Sequence, residues 1–185
     1  MLKAVNLPYP PRWVNAYIFA KLAEYEDIGV SASQILNPIV ASTPTNIEDV
    51  YKAIVQPSGT TDPLLIQYDT MMKFRASPFY PIKRAQVLYY IYSSSLAHLT
   101  NATGVIQQLL DREDVSAEEV NGWTVTNPQT VSGVSTPCNV YFHKFKAFQT
   151  EEPRSIQNLI SVKTLFTSKL IIEYDFHASD GSTFR

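Results

Sequence analysis

Apolar and polar positions alternate from Leu64 to Phe74: Leu64, Ile66, Tyr68, Met72 and Phe74 share one parity, interrupted by Thr70, and Gln67, Asp69 and Lys73 share the other. A period of two marks a strand with one covered face. The segment Ser77-Pro78-Phe79-Tyr80-Pro81 then turns the chain, and Ile82 to Tyr92 predict a second strand. Lys83, Arg84 and Gln86 make its beginning polar, whereas Val87-Leu88-Tyr89-Tyr90-Ile91-Tyr92 is apolar on both parities and is expected to lie deeper in the sheet. Ser93-Ser94-Ser95 offers an N-cap, after which Leu96, Leu99, Thr103, Ile106 and Leu110 form one stripe of a helix ending near Asp111. Gly104 inside that helix is consistent with close packing against a neighbour.

The flanking segments follow the same logic. Beyond the Pro8-Tyr9-Pro10-Pro11 stop, Val14, Tyr17, Ile18, Leu22 and Tyr25 predict an amphipathic helix over residues 12–26. Residues 28–44 read as a surface connection, and Thr45 with Glu48 forms a capping box for a short helix ended by Gln56-Pro57-Ser58-Gly59. Ser116 and Glu119 repeat that spacing for another short helix, which Asn121-Gly122 would end. Residues 124–139 have no period that buries a face and predict a projecting loop or arm. A β-like run from Val140 to Phe148, a charged turn at Thr150-Glu151-Glu152-Pro153-Arg154, a run from Ile156 to Phe166 and a last strand from Lys169 to His177 close the pattern. The expected fold is α+β: a mostly antiparallel sheet with a β-β-α-β-β core and helices on one face. It divides one domain, residues 1–185, into an N-terminal helical extension (1–62), the α+β core (63–177) and a flexible tail (178–185).

At 185 residues the chain is long enough to bury a core without disulfides or metal. The net charge of −2 gives no global attraction to nucleic acid. The single cysteine, Cys138, and a start without an apolar leader point to an intracellular, soluble protein with no membrane partner. His98, His143 and His177 share no metal-ligand spacing, although His143 and His177 could meet across strands. Asp111-Arg112-Glu113-Asp114 mixes signs and reads as a solvated helix end. Neither a P-loop, a dinucleotide fingerprint nor a nucleophile elbow occurs. The expectation is therefore a protein without catalytic residues, cofactor or metal.

What the pattern does offer is assembly surface. Phe79 and Tyr80 beside Lys83 and Arg84 read as an aromatic anchor with a polar rim, and Glu151, Glu152 and Arg154 as a second charged cluster able to pair with it on a neighbouring copy. An unpaired sheet edge would add a route to assembly by strand augmentation. An enzyme would instead need a cavity joining His143 and His177 to carboxylates, and a nucleic-acid-binding module would need Lys83, Arg84, Lys144 and Lys146 on one face with exposed aromatics.

From Leu64 to His177 the order of elements resembles the tail-terminator proteins of tailed bacteriophages, especially the proximal sheath stabiliser of contractile-tailed phages. The resemblance rests on Asp62-Pro63-Leu64-Leu65-Ile66-Gln67-Tyr68, on Ser77-Pro78-Phe79-Tyr80-Pro81-Ile82-Lys83 leading into Val87 to Tyr92, on the helix with Val105-Ile106-Gln107-Gln108-Leu109-Leu110, and on Leu170-Ile171-Ile172-Glu173-Tyr174-Asp175-Phe176. It implies an antiparallel sheet with helices on one face and a homohexameric ring. That ring would cap the tail tube, contact the last sheath ring and meet the neck or connector proteins, with DNA passing through its lumen rather than being bound specifically. It implies a place in the virion after assembly in the host cytoplasm. Residues 1–62 and 124–139 have no counterpart in the resemblance, and a neck adaptor or baseplate subunit would suit the same composition. Deleting residues 126–137 should leave the monomer folded and weaken assembly, as read by circular dichroism and native mass spectrometry; global unfolding would instead place the segment in the core.

Overall fold

The computed structural model describes residues 9–25, 35–41, 64–71, 82–131, 133–156 and 164–179. The elements are α1 (Pro10–Glu24), β1 (Ile35–Ala41), β2 (Leu64–Met71), β3 (Lys83–Ser93), α2 (Leu96–Leu110), α3 (Asp114–Thr126), β4 (Gln129–Val131), β5 (Val134–Thr136), β6 (Val140–Ile156) and β7 (Leu165–Ala178). Among the described residues, five strands form one sheet in the order β1-β2-β3-β7-β6, antiparallel throughout except for the parallel β1–β2 pair. The fold is α+β, with a mostly antiparallel sheet and the helices on one face. The expected helix near residues 45–55, the turn at 77–81 and the chain end at 180–185 lie outside the described residues.

Strand alternation separates the two faces of the sheet rung by rung. Toward the helices point Ala85, Val87, Tyr89 and Ile91 of β3, Phe142, Phe145 and Ala147 of β6, and Leu170, Ile172, Tyr174 and Phe176 of β7, all buried. Phe142, Phe145 and Tyr174 form an aromatic cluster, with centroids 5.1 to 5.5 Å apart. Burial in β3 alternates strictly, so its second half is covered on one face only: Leu88, Tyr90 and Tyr92 remain partly exposed on the other. The double-sided apolar run therefore does not make β3 two-sided core.

Leu99, Ala102, Val105, Ile106, Leu109 and Leu110 bury one side of α2, and the Ser95 hydroxyl accepts the His98 N–H at 3.3 Å as the expected N-cap. Nothing lies within 4 Å of a Cβ built on Gly104, so a close neighbour does not account for that glycine. In α1, Trp13, Val14, Tyr17, Ile18 and Leu22 are fully or nearly fully buried. Pro10 and Pro11 open this helix rather than stopping the chain before it, because proline in the first turn lacks only an N–H that would have no intrahelical acceptor. The Tyr89 hydroxyl donates to Asn15 Oδ1 at 2.6 Å and ties α1 to the sheet.

Several expectations change. The presumed connection over 28–44 contains β1, which extends the main sheet, so the first 62 residues are more than a helical extension. Asn121-Gly122 does not end α3, which runs on to Thr126; Ser116 sits inside it, accepting the Arg112 N–H and donating to the Leu109 carbonyl. The loop at 124–139 begins as helix and folds into the β4–β5 hairpin, turning at Gly133, whose φ of 80° suits glycine. The charged segment at 150–154 is no turn: β6 continues through it to Ile156 as the outermost strand. Replacing core Phe145 by Ala should cost about 3–5 kcal/mol in urea denaturation, whereas the same change at Phe148, which is 46% exposed on the other face, should cost about 1 kcal/mol or less.

Candidate functional site

The sheet face opposite the helices carries the ionisable side chains, arranged in rows across β3, β7 and β6. Arg84 lies opposite Asp175 and Lys144 opposite the same residue; one rung along, Gln86, Glu173 and Lys146 repeat the pattern. The Arg84 guanidinium donates to both Asp175 carboxylate oxygens, at 2.6 and 2.8 Å, and lies 3.5 Å from Glu173. Gln86 donates to Glu173 at 2.7 Å. Lys144 reaches Glu113 at 3.0 Å and Lys146 reaches it at 3.9 Å. The Lys144 hydrogen bond holds the Glu113 carboxyl below its usual range and raises the Lys144 ammonium in return.

The next row, Leu88, Ile171 and Phe148, is apolar. Beyond it Tyr90 and Tyr92 stack at 6.5 Å, Lys169 Nζ lies 5.5 Å from the Tyr90 ring centroid, and Glu151 pairs with both Lys169 and Arg154. The Lys169 hydrogen bond lowers the Glu151 carboxyl, with Arg154 acting in the same direction. At the opposite end of the face, Tyr141 faces His177, and His143 Nε2 stands 2.7 Å from His177 Nδ1. The His143 pKa is lowered, chiefly by burial and then by His177, with Asp175 opposing.

Of the seven residues predicted to mark an interface, Phe79 and Tyr80 lie outside the described residues. Lys83 and Arg84 begin β3, whereas Glu151, Glu152 and Arg154 lie six or more rungs away along β7, roughly 20 Å at strand rise. The structure thus sets the two charged clusters at opposite ends of the sheet, and it commits Arg84, Glu151 and Arg154 to partners within the chain. Arg84, Lys144 and Lys146 do share a face, with Asp175, Glu173 and Glu113 interleaved among them; Lys83 falls on the other parity.

The run Asp111 to Asp114 proves to be more than a solvated helix end. Asp111 Oδ1 accepts the Ala147 N–H, and the Glu113 carbonyl accepts the Phe145 N–H. Glu113 reaches that position with a φ of 47°, outside the region ordinary residues prefer. Asn121 completes the seal, taking the Phe142 N–H at 2.9 Å and donating to the Phe142 carbonyl at 2.8 Å. Farther along, β6 carries two register shifts and Pro153, and β1 carries Pro38 and a register shift of its own. Among the described residues, both outer strands of the sheet thus carry features that discourage strand addition.

An open groove of about 600 Å³ lies among helices α1, α2 and α3 and is lined by Tyr17, Lys21, Tyr25, Arg112, Glu119 and Trp123. Its charges are paired internally: Arg112 with Glu119, which also accepts from Tyr17 at 3.3 Å, and Lys21 with Glu24. Burial, then Glu119, pushes the Tyr17 hydroxyl well above its ordinary pKa. Nothing in the sequence pattern marked this groove, because its residues come from three helices. Among the described residues no three His, Cys, Asp or Glu are grouped to hold a metal ion, and no helix is long and apolar enough to cross a membrane. Neither a protein-family model nor a curated protein matches the sequence.

The lowered carboxyls have a sign that can be checked. A depressed folded-state pKa contributes stability above the unfolded value, near 4.5, that is lost as pH falls through the folded value. Glu113→Gln and Glu151→Gln should each flatten the fall in urea midpoint below pH about 4.5 and lower the midpoint at neutral pH, modestly at Glu113 because its side chain is exposed.

Proposed function

We propose that this protein is a structural subunit of a tailed-bacteriophage virion, forming a homohexameric ring that terminates the tail tube and sheath and joins the tail to the head-side neck. The observation that supports this reading is a mostly antiparallel sheet with its helices on one face, the general architecture that the resemblance to tail terminators implies. On this reading the protein is not an enzyme, acts in the virion and is assembled in the host cytoplasm.

Ring closure supplies a second support. A head-to-tail contact needs two different patches on each copy. The open sheet face offers the apolar row through Phe148 flanked by tyrosines, and the α3–β4–β5 region offers Val125 and Val134, 80% and 65% exposed. These surfaces belong to different parts of the molecule, so one copy can present either to the next. The sealed first part of β6 favours contact through faces and the hairpin over strand addition there.

Native mass spectrometry over a concentration series is the test. A discrete hexamer is the expected result. A closed dodecamer would move the assignment to a neck adaptor, and a persistent monomer that also fails to bind purified tails would overturn it.

A further inference from the structure

We propose that His143 and His177 form a bidentate site for a divalent transition-metal ion of the zinc or copper type. The two residues are 34 positions apart in the chain, yet their ring nitrogens stand 2.7 Å apart on adjacent antiparallel strands. The ring centroids are 4.9 Å apart, and Tyr141 lies against both rings at 5.3 and 5.4 Å.

A bulge shapes the backbone at His143. In an unbroken strand the side chain after His143 would return to the core. Instead β6 bulges between Phe142 and Lys144, so that His143 and Lys144 both stay off the core face between buried Phe142 and Phe145. Bulges re-aim side chains in this way, and they recur beside functional sites. This one is clamped on both sides: the Asn121 amide holds both backbone groups of Phe142, and the Glu113 carbonyl holds the Phe145 N–H.

The facing atoms are His143 Nε2 and His177 Nδ1, so one nitrogen donates and the other accepts across the gap. A metal ion takes a lone pair from each. Metal–nitrogen bonds of about 2.0–2.1 Å in a tetrahedral site put the two nitrogens roughly 3.3 Å apart, so binding requires the rings, now nearly head-on, to turn until both lone pairs converge on the ion. The neutral pair needs a tautomer shift at one ring and no net proton loss: the proton between the rings moves to the outer nitrogen of its own imidazole. Imidazole suits zinc and copper, whereas magnesium and calcium require oxygen ligands.

Nearby charge does not oppose a dication. Arg84 is paired with Asp175 and Glu173, and Lys144 with Glu113. With no third protein ligand grouped there among the described residues, the remaining positions belong to water, which makes the site open and exchangeable rather than a closed structural centre.

Isothermal titration of the full chain with Zn²⁺ and with Cu²⁺ tests the proposal, with Mg²⁺ as the control. One ion per chain is expected for the first two and none for Mg²⁺. His143→Gln and His177→Gln, confirmed as folded by circular dichroism, should each lower affinity by more than the roughly 10–100-fold that loss of an outer-shell partner costs, and His98→Gln should leave it unchanged. Absence of binding at millimolar metal, equal binding by the His143 and His177 variants, or loss of binding in the His98 variant would overturn it.

Discussion

The outer backbone of β6 is the constraint on which the rest of the structure depends. A seventeen-residue strand at the end of a sheet exposes donors and acceptors that need partners other than a further strand. The α2–α3 corner provides them at Phe142, Phe145 and Ala147, through Asn121, the Glu113 carbonyl and Asp111. That sealing fixes α3 against the sheet, positions the aromatic cluster of Phe142, Phe145 and Tyr174 beneath it, and accounts for a glutamate held at positive φ. The same contacts anchor the bulge from which His143 and Lys144 project. Core and open face are thus organised by one set of edge hydrogen bonds.

Much of this was legible in the sequence and some was not, for physical reasons. Alternation along β2 and most of β7 announced strands because one face of each packs into the core. The same rule misled for β3, where Leu88, Tyr90 and Tyr92 look like core residues and instead form the apolar part of the open face. Ser95 was readable as a cap because its action is local. Asn121 was not, because its partner is Phe142, twenty-one residues on, and an Asn-Gly pair looks like a helix end when the partner is unseen. The 150–154 segment looked like a turn because Pro153 and three charges are common in turns; on an outermost strand they also discourage pairing with another chain. Of the candidate interface, Arg84 could be identified as strand-borne, but Asp175 and Glu173 became its partners only through the register of β3 on β7.

The distribution of charge on the open face separates two kinds of interaction. Arg84, Lys144, Lys169 and Arg154 each have a carboxylate partner within the chain, so a surface laid on this face would have to displace or share existing pairs to gain from charge. Exposed pairs of this kind contribute little to stability. Their effect on an incoming partner is mainly to set orientation and to disfavour mismatched surfaces. The row of Leu88, Ile171 and Phe148, with Tyr90 and Tyr92 alongside, is partly buried within the chain, and Phe148 is its exposed member. Burying it is the larger available gain, by about 25 cal/mol for each Å² of apolar surface covered. Affinity on this face therefore belongs to the apolar band at its centre, and register belongs to the charged rows on either side.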